Sequence, residues 1–108
     1  MDIGEYQTQA RAFKKYKDKW KIIYPSMGLA SESGEVNDKI KKLMRDKDFV
    51  MSDDDRVEIL KEIGDCLWYL AILCDDLMMP LDQAALMNLQ KLNSRMSRGV
   101  IGGSGDNR

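Results

Sequence analysis

The sequence predicts an all-α domain, a four-helix bundle, on three observations. Apolar residues recur at spacings of three and four in four successive segments. Pro25 and Pro80 stand where two of those segments open, and Ser52-Asp53 stands where a third does. The 108 residues suffice for one core, near the size at which burial becomes thin and partner subunits help. The reading is one helical domain over residues 1–97 and a glycine-rich tail over 98–108.

The first helix is expected over residues 3–20, where Ile3, Tyr6, Ala10, Phe13 and Trp20 share a face. Pro25-Ser26 opens the second, with Leu29, Val36, Ile40 and Leu43 in one stripe down to about Arg45. A short acidic connector follows, and Ser52 or Asp53 can cap the third helix. That helix should run from about 54 to 78, with Val57, Leu60, Ile63, Leu67, Ala71, Cys74 and Met78 as its core face. From Cys66 to Cys74 it is apolar all round, which asks for cover on several sides. Leu67, Leu70, Ala71 and Cys74 are assigned to the protomer's own core, and Tyr69, Ile72, Leu73 and Leu77 to a second copy of the chain. Pro80 opens the fourth helix, with Leu81, Ala84, Ala85, Leu89, Leu92 and Met96 inward. Beyond Ser97 the glycines end it.

A net charge of −1 gives no global field toward nucleic acid or an anionic membrane, so neither is expected as a partner. The basic run Lys14 to Lys21 reads as a solvated face. No apolar stretch approaches the length of a membrane span and the first residues do not resemble a signal peptide, so a cytoplasmic protein is expected. Cys66 and Cys74 would lie about 12 Å apart along one helix, beyond disulfide reach. Histidine is absent, which removes imidazole as base or ligand and leaves chemistry to carboxylates, lysines, arginines and a metal.

Glu32 interrupts the apolar stripe of the second helix, and Glu35 follows almost one turn on. Two carboxylates at that spacing repel each other unless something positive stands between them. The third helix supplies Glu62 and Asp65 at the same spacing, with Glu58 one turn earlier. Facing one another across antiparallel helices, these groups form an all-oxygen site suited to Mg²⁺ or Mn²⁺. Gly34 and Gly64, inside the two pairs, leave room for backbone or ligand to approach. Either pair alone is also an ordinary exposed helix pattern. A di-iron bundle, which needs Glu-x-x-His, is excluded.

With these residues in view the sequence resembles the MazG-like nucleoside triphosphate pyrophosphohydrolases of the all-α pyrophosphatase superfamily. The likeness covers about residues 27–98. It is carried by Gly28-Leu-Ala-Ser-Glu32-Ser-Gly-Glu35-Val36, by Glu62-Ile-Gly-Asp65-Cys-Leu-Trp68-Tyr-Leu, and by Asn88-Leu-Gln-Lys91-Leu-Asn-Ser-Arg95, in that order. The resemblance implies cleavage of a (deoxy)nucleoside triphosphate to the monophosphate and pyrophosphate, Mg²⁺ as cofactor with Mn²⁺ able to replace it, and a homo-oligomer, dimer or tetramer. It assigns Glu32, Glu35, Glu62 and Asp65 to the metal; a water activated there needs a base, which Glu35 or Glu62 can supply, and spacing alone does not choose between them. Lys91 and Arg95 fall to the phosphates, with Asn88 of the same motif on the substrate. The tail is similar to the ends of small, stand-alone members. Its glycine amides, with Arg98 and Arg108, can wrap phosphate, and a frayed terminus is the competing reading. Two other functions fit the same residues: a nucleotide sensor without turnover, and a helical interaction module with solvated carboxylates.

Overall fold

A computed structural model describes residues 1–108, and it contains four α-helices and no strand: α1 Ile3–Ala10, α2 Ile23–Lys47, α3 Asp53–Asp76 and α4 Leu81–Ser97. The start of α1 is fixed by Asp2, whose carboxylate accepts from the Glu5 N–H while the Glu5 carboxylate accepts from the Asp2 N–H. Ser52 and Asp55 build the same reciprocal cap on α3. Ser52 is thus the cap, and three aspartates fill the first turn, where the helix dipole favours negative charge. Pro25 is buried in the first turn of α2, where its missing N–H costs no hydrogen bond.

The first helix is shorter than its apolar spacing predicts. It ends at Ala10 and gives way to single 3₁₀ turns at Arg11–Phe13 and Asp18–Trp20. The reason lies at the far end of α3. Lys14 leaves helical geometry (ψ 117°), and its ammonium pairs with Asp75 and Asp76. The Tyr16 hydroxyl and the Ile22 N–H both donate to Asp76. Burial opposes ionisation of the Asp76 carboxyl, but these three donors outweigh it and hold the group below its usual range. Part of the basic run is therefore an anchor rather than a solvated face.

Helices α2 and α3 pack along their length as an antiparallel pair, which brings the Glu32 region opposite the Glu62 region. The predicted α2 stripe is confirmed: Leu43 is buried and Leu29, Val36 and Ile40 are half-buried. A small core joins Ala10, Ala71, Ile72 and Leu81, with Ile3, Tyr6, Tyr16, Leu67, Trp68 and Cys74 against it. The buried Gln7 amide ties this junction. It donates to the carbonyls of Ala71 and Met79 and accepts from the Leu81 N–H at 2.8 Å.

Three core assignments are corrected. Ile72, expected on an outer face, is fully buried, whereas Leu70, expected inside, is exposed. On α3, Val57, Leu60 and Ile63 are exposed, and Met78, expected on the same helix, lies exposed in the turn beyond its end. On α4 only Leu81 of the expected inward residues is buried; Leu89, Leu92 and Met96 are exposed and so are Ala84 and Ala85. The physical reason is that α4 touches α1 and α3 near its start and does not close over the α2–α3 pair. The radius of gyration, 16.8 Å, exceeds the roughly 13 Å of a compact chain of this length.

A candidate metal and phosphate site

The antiparallel packing of α2 on α3 gathers one carboxylate oxygen each from Glu32, Glu62 and Asp65 within 4.8 Å of one another. Glu32 and Glu62 are half-buried and Asp65 is exposed, so the group opens to solvent on one side. Burial first, then the charges of Asp65, Glu62 and Glu35, raises the Glu32 carboxyl above its ordinary range. Three negative groups at this spacing are a poor resting arrangement and a good cation site. Their donors are all oxygen, the set that hard divalent ions take.

Glu35 stands outside this triad, exposed on α2, yet close enough for its charge to act on Glu32. Glu58 turns to Lys61 at 2.8 Å, which with Lys39 lowers its carboxyl. Lys39 also reaches Glu62 at 3.4 Å and is the resident counter-ion of the cluster. Sequence reasoning passed over Lys39, although its place one turn after Glu35 on the same helix was a signal. The two glycines inside the motifs have open space around them: a Cβ at Gly34 or Gly64 would meet nothing within 4 Å. Neither serves a close approach of backbone within the chain. Gly28 does, because a Cβ there would stand 2.1 Å from the Tyr69 ring.

Tyr69 begins an aromatic wall beside the carboxylates. Burial and Tyr24 raise its hydroxyl, and the charges of Glu32 and Asp65 add to the shift. Tyr24 lies 6.5 Å from Tyr69 and stacks on Tyr16 at 4.6 Å. Together with Phe13, Lys15 and Trp68 they line a cleft. The Asp76 anchor fixes this wall by holding Tyr16.

Lys91 and Arg95 do come together on α4, at the tail rather than at the carboxylates. The Asp106 carboxylate accepts from the Lys91 ammonium at 2.6 Å and from the Arg95 guanidinium at 3.2 Å. Arg98 donates to the Arg108 carbonyl and to the Ser94 hydroxyl. The Arg108 guanidinium donates to the carbonyls of Val100, Ile101, Gly102 and Gly105. Gly99, Gly103 and Gly105 take positive φ to make that turn. The tail is thus a closed loop tied by Arg108, not a frayed end. Asn88 is exposed on α4.

The chain is all-helical, with an open oxygen triad between two antiparallel helices and a lysine–arginine pair on a third. Residues 26–100 match the MazG nucleotide pyrophosphohydrolase domain, and the chain belongs to that family. A protein of Mycobacterium phage L5, named only as Gene 37 protein, is 48% identical over 87 residues, which span 81% of this chain and 76% of the relative. No solved structure matches the chain.

Proposed function

We propose that this chain hydrolyses (deoxy)nucleoside triphosphates to the monophosphate and pyrophosphate with Mg²⁺ bound to Glu32, Glu62 and Asp65. The observation that carries the reading is the triad of carboxylate oxygens within 4.8 Å, with Glu32 destabilised as an anion until a cation joins it. Bound there, a divalent ion supplies positive charge against phosphate oxygens and acidifies water. We assign the proton of the attacking water to Glu35, which lies outside the triad and has no ion-pair partner, with Glu62 as the alternative base. Lys39 neutralises Glu62 before loading and is then available to the substrate. Lys91 and Arg95, which stand at the tail and not at the carboxylates of the same protomer, are assigned to the phosphates by the family motif they belong to, as donors of charge-assisted hydrogen bonds. The aromatic wall of Tyr16, Tyr24 and Tyr69 offers a stacking face for the base.

Self-association belongs to the same reading. Exposed Leu60, Ile63, Leu70, Leu77, Leu86 and Leu89 support it, as does the open shape of the protomer. No helix is long and apolar enough to cross a membrane, so this surface is not a span.

The deciding experiment incubates the protein with Mg²⁺ and each nucleoside triphosphate and separates the products. Monophosphate with pyrophosphate is expected. Release of orthophosphate would place the cut at the wrong bond, and no turnover together with a nucleotide-induced rise in melting temperature would make the protein a sensor.

A further inference from the structure

The Asp106 carboxylate does at Lys91 and Arg95 what a substrate oxygen would do. One oxygen, Oδ1, is shared between the Lys91 ammonium at 2.6 Å and an Arg95 Nη at 3.2 Å. The same Arg95 nitrogen donates to the Asp106 main-chain carbonyl at 2.6 Å. Arg95 is 6% exposed and its Nε is buried without a partner, so the guanidinium is set in place by the tail and not by solvent. The Asp106 side chain, by contrast, is 76% exposed. It can rotate away while the main-chain carbonyl keeps its hold on Arg95.

We propose that Asp106 is an internal stand-in for a phosphate group: its side chain occupies the oxyanion seat formed by Lys91 and Arg95 and is displaced by an incoming polyphosphate. The proposal rests on the assignment of those two cations to the phosphates made above. A carboxylate on two cations leaves a net positive charge, so a polyphosphate is still drawn to the seat. A phosphate group, with more charge and more acceptor oxygens, displaces a lone exposed carboxylate. Asp106 therefore weakens binding without abolishing it, and keeps the two side chains from collapsing elsewhere while the seat is empty. The Arg108 knot on four tail carbonyls is what returns Asp106 to its place after product leaves.

The test measures binding of inorganic pyrophosphate by calorimetry, without turnover, to wild type, Asp106→Asn and Asp106→Asn with Lys91→Gln. Asparagine keeps the shape and the main-chain carbonyl and removes the charge. The expected result is that Asp106→Asn binds pyrophosphate about threefold to tenfold more tightly, as loss of two exposed ion pairs allows, and that Lys91→Gln reverses the gain. Unchanged or weaker binding by Asp106→Asn overturns the proposal and leaves Asp106 as a support for the cations. Absence of pyrophosphate binding in every variant also overturns it and removes Lys91 and Arg95 from the phosphates. A chain that binds as predicted but shows no hydrolysis refutes the enzymatic reading alone. In wild-type protein the Asp106 carboxyl carbon resonance must move toward that of a free carboxylate on saturation with pyrophosphate; a resonance that stays put refutes displacement independently of any variant.

Discussion

Glu32 is the residue whose chemistry is most exposed to test. Its folded-state carboxyl titrates above the ordinary range, so the folded protein holds that proton more tightly than the unfolded chain does. The stability linked to this group is therefore present at acid pH and lost as pH rises through the raised titration. Metal-free protein should melt progressively lower than Glu32→Gln as pH rises from the weakly acidic range to neutrality, and saturating Mg²⁺ should abolish the difference in favour of wild type. Circular dichroism melts across pH, with and without Mg²⁺, measure both. Glu35→Gln, Glu62→Gln and Asp65→Asn should each abolish turnover with helicity retained. The cluster itself was legible from the sequence, because a carboxylate interrupting an apolar stripe at i, i+3 from another has few inexpensive explanations. That Glu35 would stand apart from the other three was not legible: side-chain direction on a helix depends on the rotation of α2 against α3, which spacing does not supply. Gly28 shows the converse. It sat in a recognised motif, yet its use, receiving the Tyr69 ring, needs the packed structure. Gly28→Ala should force that ring to move at a cost of about 1–3 kcal/mol and should raise KM for the nucleotide more than it lowers kcat.

At the scale of elements, two joints carry more than the helices they join. The first is Asp76 at the end of α3, whose side chain is fully covered and bound to Lys14, Tyr16 and the Ile22 N–H. Asp76→Ala would strand those donors and should cost about 3 kcal/mol in urea denaturation. Because the Asp76 carboxyl lies below its usual range, its contribution is present above the unfolded-state pKa and is lost as pH falls through the folded one, so wild type and Asp76→Ala should converge in acid. The second joint is Gln7. Gln7→Leu leaves the Met79 carbonyl and the Leu81 N–H without their partner and should cost roughly 2–3 kcal/mol. The second, third and fourth helices were legible to within a few residues from proline, caps and periodicity. The overrun of the first to residue 20 came from trusting apolar spacing across a lysine run whose partners, Asp75 and Asp76, lie far along the chain.

Across the whole molecule the dominant fact is how little is buried. Eight of the 108 residues are buried while leucines, isoleucines and methionines on α3 and α4 lie open, so folding and association should be coupled. The melting temperature is expected to rise with protein concentration, and Leu89→Glu should give a smaller species in sedimentation with lower stability. Ile72→Glu is a different experiment: a charge in the centre of the core should leave the protomer unfolded at every concentration. The sequence pointed to the excess apolar surface but misassigned its members, since an all-round apolar helix does not reveal which side its own chain covers. Finally, the Gln7 amide has a mechanical consequence. It sits at the root of α4, and Arg95 lies about 20 Å further along that helix at the helical rise. A tilt of about 10° at the root would carry the cation pair sideways by about 3–4 Å, more than the length of a hydrogen bond. Gln7 is thus the fulcrum of a lever, and substitutions there should misaim Lys91 and Arg95 without touching either.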